Sequence, residues 1–208
     1  MNSRQTGFLR RSASAGAVTL LVAVVAACTG RGGGYLPPGP SASDLMTGTS
    51  FSGQASFGFD FSCQDAGGTN PPTGQLKIEL SYTDHGTSVL ATAPFSVHGV
   101  VDEIDPVLES EVCIGKEPPT PGNELIFLGR FKPTSTPPAG FPATCATRAP
   151  LCRFEVIVRD NDGDLAPSAN DFFSIKLSGA TDLTSEFDSA TVFYARAGFL
   201  AGGNLTVK

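Results

Sequence analysis

Apolar and polar residues alternate one by one through several stretches of this 208-residue chain. In the first stretch, Phe57, Phe59 and Phe61 are separated by single small or polar residues. The four most regular stretches are 55–63, 76–82, 154–158 and 173–177. Alternation over four to eight residues, bounded by Gly, Pro, Asn and Asp, is typical of a strand with one buried face. This two-residue period constrains the fold more than any other feature of the sequence, and it predicts β structure.

Less regular apolar runs complete the pattern and indicate about nine strands in all. They cover 89–101, 111–114, 125–131, 191–196 and 204–207. The chain also contains 24 Gly, 16 Pro and no Trp, a composition that disfavours a helical bundle or a coiled coil. We therefore expect an all-β fold, an antiparallel sandwich of two sheets, that forms a single domain with its own core.

Residues 1–27 have the arrangement of a bacterial export signal. Arg4, Arg10 and Arg11 precede an uncharged run over 13–27, which is too short and too broken by small residues for a spanning helix. The run ends in Val-Ala-Ala immediately before Cys28, which resembles the lipobox of bacterial lipoproteins. The resemblance implies that the leader is removed before Cys28 and that Cys28 carries a lipid anchor. An ordinary signal peptide, cut at the same place, is the alternative.

Residues 28–50 are rich in Gly, Pro, Ser and Thr, a composition that buries little apolar surface. They predict a flexible spacer between the lipid and a β-sandwich domain over 51–208. The protein is then expected on the extracytoplasmic side of the bacterial envelope, anchored to a membrane. Loss of 1–27 moves the net charge from −6 to −9, because the leader holds three arginines and no acid. So acidic a chain is not expected to bind nucleic acid.

Four cysteines remain once Cys28 is lipidated: Cys63, Cys113, Cys145 and Cys152. An even number in an exported domain predicts two disulfides, with three possible connectivities. The short separation favours Cys145–Cys152, which leaves Cys63–Cys113. The second pair is within reach if 55–63 and 111–114 are neighbouring or facing strands. A zinc site is disfavoured, because the chain has no CxxC pair and only two histidines.

Five short motifs in the second part of the chain point to a family. They are Gly-Gln-Ala-Ser-Phe-Gly-Phe at 53–59, Pro-Thr-Gly-Gln-Leu at 72–76, the alternating runs 154–160 and 171–175, and Gly-Gly-Asn-Leu at 202–205. Together they resemble the post-COAP type of β-module, which occurs at the ends of many secreted bacterial and archaeal proteins. The resemblance spans 50–208 and implies a non-catalytic accessory domain. This chain differs in standing alone behind a lipobox and in its Cys145–Cys152 insertion.

The densest group of ligand-type residues is Asp160, Asp162 and Asp164, with Asp171 further on. Counted from Asp160, the four acids fall at positions 1, 3, 5 and 12, the spacing with which a calcium loop surrounds its ion with oxygen ligands. Leu165 occupies the position at which an EF-hand needs Gly, and the flanking runs are strands. The spacing therefore leaves two interpretations, a hairpin loop that binds calcium and a solvated turn without metal.

Motifs for catalysis are sparse. His85 and His98 have no Ser or Cys beside them in a recognised nucleophile motif, so each is expected to be structural. A run of acids could supply paired carboxylates for glycoside hydrolysis, although such a run more often forms a solvated loop. This run consists of Asp102, Glu103, Asp105, Glu109 and Glu111.

The sequence therefore predicts a lipoprotein that is not an enzyme and that acts by binding or as a structural module. Nothing in it identifies the ligand. One alternative is an extracytoplasmic hydrolase with an unrecognised acid site. Another is a subunit of an envelope protein complex that pairs with its partner through an exposed edge strand.

Overall fold

The computed structural model describes residues 27–43, 50–64, 76–86, 94–100, 123–136, 141–147, 152–161, 170–179 and 192–207. The strands are β1 Ala27–Leu36, β2 Gly39–Pro40, β3 Ser50–Phe51, β4 Ala55–Gln64, β5 Leu76–Asp84, β6 Phe95–Val100, β7 Glu124–Pro133, β8 Cys152–Arg159, β9 Phe172–Gly179, β10 Val192–Phe199 and β11 Gly202–Val207. One short 3-10 helix covers Ala143–Thr147. Over these ranges, no helix has the length and apolar character needed to cross a membrane. The prediction of an all-β chain is confirmed.

Nine of the strands form one antiparallel sheet in the order β10-β9-β8-β7-β6-β5-β4-β1-β11, and β2 pairs with β3 in a small second sheet. The large sheet curls so that strands distant in this order face each other. Phe57 on β4 stacks on Phe173 on β9 with ring centroids 3.7 Å apart, and Phe59 packs against Phe127 on β7. The two layers of the predicted sandwich are thus two parts of one curled sheet.

The alternation in the sequence matches the burial along β4. On β4, Ala55, Phe57, Phe59 and Phe61 are buried, while the residues between them are partly exposed. Buried phenylalanines from several strands fill the space between the layers, and each stabilises the fold by about 1.5–3 kcal/mol relative to an exposed ring. The aromatic side chains that made the period visible in the sequence therefore form the core.

The glycine-rich segment after Cys28 is a strand and not the flexible spacer predicted for 28–50. Ala27–Leu36 forms β1, which lies between β4 and β11 with an unbroken register on both sides. The glycines are needed for close approach: a Cβ at Gly34 would lie 2.4 Å from the carbonyl oxygen of Gly202, and one at Gly30 would lie 2.3 Å from Cδ2 of Leu125. The sheet therefore includes residues 27–36, which lie before the predicted domain boundary at residue 51. Residues 44–49 of the predicted spacer lie outside the described ranges.

Both outer strands of the sheet form hydrogen bonds with other parts of the chain. On β10, the amide of Ala197 donates to Oγ of Ser41 (3.0 Å), and its carbonyl accepts from the amide of Ala42 (2.9 Å). On β11, the amide of Leu205 donates to Asp171 and that of Val207 donates to Asp160. Two residues, 200 and 201, carry the chain from β10 at one edge to β11 at the other.

Candidate functional site

A buried polar cluster lies where β5 and β10 face each other. Asp84 ends β5 and is fully buried, and Arg196 in β10 is 2% exposed. The carboxylate of Asp84 accepts hydrogen bonds from the hydroxyl of Tyr194 (2.6 Å) and from NH1 of Arg196 (3.3 Å). The hydroxyls of Tyr194 and Tyr82 are also hydrogen bonded, at 2.5 Å. The cluster therefore pairs one buried negative charge with one buried positive charge.

Arg196 also ties together two turns at this end of the sheet. Its NH2 donates to the carbonyl oxygens of Pro37 (2.9 Å) and Gly53 (2.7 Å). Its guanidinium group lies over the ring of Phe51, 4.4 Å from the ring centroid. These contacts join the end of β1, the segment between β3 and β4, and β10, so Arg196 holds the fold together.

Burial governs the acid–base behaviour of the two tyrosines. Desolvation raises the pKa of Tyr82 well above its ordinary value, and the neighbouring Asp84 raises it further. Desolvation likewise raises the pKa of Tyr194, with additional contributions from Tyr82 and Asp84. Both hydroxyls keep their protons at neutral pH and act as hydrogen-bond donors. Because the cluster is closed to solvent and consists of groups bound to each other, its role is structural.

An exposed Ser–His pair lies next to this cluster in the chain, because His85 follows Asp84. Oγ of Ser56 is 2.9 Å from Nε2 of His85. The turn that carries His85 is fixed by two hydrogen bonds, from the amide of His85 to the carbonyl of Gln54 and from the amide of Gly86 to Asp84, each 2.9 Å long. A hydroxyl beside an imidazole is the arrangement of a nucleophile and its base. Sequence reasoning missed this pair, because its members are 29 residues apart.

The Ser–His pair lacks the third member of a catalytic triad among the residues that the structure describes. Asp84 adjoins His85 in sequence, but its oxygens accept from Tyr194, Arg196 and the amide of Gly86. His98, the other histidine, is a half-buried residue of β6 whose Cα partners are Ser81 and Lys132. The acid run from 102 to 111 lies outside the described residues.

Two of the four acids of the predicted calcium loop have structural partners. Both oxygens of Asp171 accept backbone hydrogen bonds, from Asn161 and from Leu205, each 3.0 Å long. Oδ2 of Asp160 accepts from the amide of Val207 at 3.3 Å. Asp162 and Asp164 lie outside the described residues. In the part of the chain that is described, no group of three His, Cys, Asp or Glu residues is arranged to hold a metal ion.

Cys145 and Cys152 form a disulfide, as the sequence predicted, with Cα atoms 5.4 Å apart. Both residues are fully buried, so this cystine is part of the core although its loop is short. Cys113 lies outside the described residues. The strands beside β4 are β1 and β5, where Cys63 faces Cys28 and Leu76. The predicted Cys63–Cys113 pair and the run 111–114 thus stay untested predictions.

Aromatic side chains are exposed near the bend between β10 and β11. Phe199 is 59% exposed and Tyr35 is 38% exposed. Phe199 packs edge-on against Phe172 with ring centroids 5.7 Å apart, and the carbonyl of Tyr35 accepts a hydrogen bond from Ala201, two residues beyond Phe199. We call Tyr35, Phe172 and Phe199 the aromatic surface.

Comparisons of this chain with protein-family models, with curated proteins and with solved structures find no match.

Proposed function

We propose that this chain is an exported bacterial lipoprotein, anchored through Cys28, whose β domain acts outside the cytoplasm by binding or as a structural module and not as an enzyme. One observation carries the proposal: the uncharged run over 13–27 ends in Val-Ala-Ala directly before Cys28, as in a lipobox.

The position of Cys28 in β1 suggests how the domain is presented. Cys28 and Tyr35 are seven residues apart on one strand, which corresponds to about 23 Å. A lipid on Cys28 places that end of β1 at the membrane, and the aromatic surface lies at the other end. We assign the binding role to this distal surface.

A non-catalytic role is supported by the engagement of three carboxylates in the described part of the chain. Asp84 accepts hydrogen bonds from Arg196 and Tyr194. Asp160 and Asp171 accept hydrogen bonds from backbone amides of β11. Hydrogen bonds at Ala197, Leu205 and Val207 also occupy parts of the two sheet edges, which leaves less free backbone for a partner strand. The resemblance to post-COAP modules points to the same non-catalytic role.

Replacement of Cys28 tests the anchor. We expect Cys28→Ser to abolish metabolic labelling by a fatty-acid analogue and to move the protein from the membrane fraction to the soluble fraction. Cys63→Ser is the matched control and should retain both the label and the membrane location. Equal labelling of the Cys28→Ser protein and the wild type would exclude a lipid on Cys28.

A second candidate function, an extracytoplasmic hydrolase, is favoured by the contact between Ser56 and His85. In such an enzyme Oγ of Ser56 attacks an ester carbonyl while Nε2 of His85 takes the hydroxyl proton and passes it to the leaving alcohol, and water then releases the acyl group. A fluorophosphonate probe tests this function. Labelling of Ser56 that is lost in Ser56→Ala and His85→Ala, and kept in Ser81→Ala, would favour the hydrolase. An unlabelled protein supports the first function.

A further inference from the structure

Cys28 and Cys63 occupy directly opposite positions on two neighbouring strands. In the antiparallel ladder between β1 and β4, the Cα of Cys28 is paired with that of Cys63. Ala27 is paired with Gln64 on one side, and Thr29 is paired with Ser62 on the other. The two cysteines therefore lie within the ladder and not beyond its end.

This position satisfies the backbone requirement for a disulfide. Opposite Cα atoms in an antiparallel ladder are about 4.5 or 5.5 Å apart, depending on their place in the hydrogen-bond pattern. Disulfides span Cα separations of about 4.4–6.8 Å, and directly opposite residues share one face of the sheet. The other lateral neighbour of Cys63 is Leu76, so Cys28 is the cysteine beside Cys63 in the sheet.

We propose that Cys28 and Cys63 form a cross-strand disulfide whenever the sulfur of Cys28 carries no lipid. This inference rests on the proposed function in one respect: the thioether to a lipid uses the same sulfur, so lipid and disulfide exclude each other. When the disulfide forms, both thiols lose their protons and the two sulfurs bond. The two electrons pass to a disulfide oxidant such as oxidised glutathione, which becomes two thiols.

Lipidation then determines the partner of Cys63. With lipid on Cys28, Cys63 remains open to Cys113, the pairing that the sequence favours. Without lipid, Cys28 takes Cys63 and leaves Cys113 as an odd thiol, since Cys145 and Cys152 are already joined. An odd thiol in an exported protein is a site of intermolecular pairing.

The test uses the mature chain exported behind a general signal peptide, so that it starts with an unlipidated Cys28. Trypsin cuts after Arg31 and Lys77, with no Lys or Arg between them, which separates Cys28 from Cys63. Under non-reducing conditions we expect most molecules to yield peptides 28–31 and 32–77 joined by a disulfide. The mass of the joined species should be two hydrogens below the summed mass of the two thiol peptides. A reductant should release the two peptides.

A register control shows whether the sheet, and not mere proximity in the unfolded chain, makes this bond. In a Cys28→Ser background, Thr29→Cys places a thiol one residue further along β1, opposite Ser62. A shift of one residue moves the side chain to the other face of the sheet, so we expect at least about tenfold less joined peptide.

The outcomes separate this inference from the proposed function. An unlipidated chain with a free Cys28 thiol would overturn the inference, whatever the partner of Cys63. A chain made with its own leader should yield a lipidated peptide 28–31 that is not joined to Cys63. If that chain instead carries the Cys28–Cys63 disulfide and no lipid, the anchor is refuted while the disulfide stands.

Discussion

Tyr194 donates its hydroxyl hydrogen to the carboxylate of Asp84 across 2.6 Å, although the two residues are 110 positions apart in the chain. Asp84 also faces Arg196, so the contact belongs to an ion pair that is sealed from solvent. Such a pair contributes little net stability when intact, but either member becomes an uncompensated buried charge once the other is removed.

Breaking the ion pair should destabilise the protein strongly. We expect Asp84→Asn or Arg196→Met to lower the free energy of unfolding by about 3–5 kcal/mol, measured by urea denaturation. The double variant should lose less than the sum of the two single losses, because the contacting residues are coupled. Lys176→Met, which removes the more exposed pair with Glu155, should cost less than about 1 kcal/mol. Additive losses at Asp84 and Arg196 would contradict the coupling.

Alkaline pH should destabilise the protein through Tyr82 and Tyr194. Burial raises the pKa of both phenols in the folded state, whereas an unfolded tyrosine has a pKa of about 10. The folded state keeps these protons after the unfolded state has lost them, so their contribution to stability is complete below pH 10 and falls as pH rises above it. Each phenol should lower the free energy of unfolding by about 1.4 kcal/mol per pH unit in that range.

Urea denaturation between pH 8 and pH 11 measures this alkaline slope. Tyr82→Phe removes one of the two buried phenols. The part of the alkaline slope that comes from these tyrosines should therefore fall by about half. An unchanged slope in Tyr82→Phe would show that other groups dominate the alkaline loss.

Removal of the carboxylate of Asp171 should expose one amide of the outer strand β11. Asp171→Ala leaves the buried amide of Leu205 without its acceptor, at a cost of about 1–3 kcal/mol. Amide hydrogen exchange should accelerate at Leu205 and change little at Val207, whose acceptor is Asp160. Asp160→Ala should give the reverse pattern. Equal acceleration at both amides in either variant would indicate loss of the whole strand.

Calcium should leave the thermal midpoint unchanged. Asp160 and Asp171 already accept hydrogen bonds from backbone amides, and a metal ion would have to compete for the same oxygens. Thermal melts in excess calcium and in chelator should therefore coincide. A midpoint that rises with calcium and falls with chelator would restore the calcium loop over 160–171.

The glycines of β1 should resist substitution. A methyl group at Gly34 would lie 2.4 Å from a backbone oxygen of β11, so Gly34→Ala should lower the free energy of unfolding by about 1–3 kcal/mol. Gly198 in β10 is the matched control, because a Cβ there comes no nearer than 3.7 Å to Leu36. Gly198→Ala should be neutral or stabilising by up to about 1 kcal/mol. Equal losses for the two variants would disprove the close approach of β1 and β11.

Most of the sheet could be predicted because its strands bury one face. The run through Phe57, Phe59 and Phe61 alternates strictly, and β5, β8 and β9 follow the same rule. The first strand could not be found in this way, since glycine has no side chain to mark a buried face. The composition of β1 is that of a flexible linker. It forms a strand because β4 and β11 pair with it on its two sides.

The polar sites were harder to predict because their members come from distant parts of the chain. Asp84 and Arg196 are separated by 112 residues, and no local pattern reveals that they meet. The spacing of Asp160 and Asp171 was visible, but spacing cannot show whether an oxygen binds a metal ion or a backbone amide. The donors to these oxygens include amides of β11, a strand more than 30 residues further along the chain than Asp171.

The first strand lies between β4 and the last strand, β11, so Gly30 pairs with Val207. A ribosome must therefore synthesise the chain as far as Val207 before this part of the sheet can close. Until then the nascent chain lacks the neighbour that covers one side of β1. For a protein that is exported as proposed, this order of synthesis leaves the pairing of β1 with β11 to be completed after translocation, on the far side of the membrane.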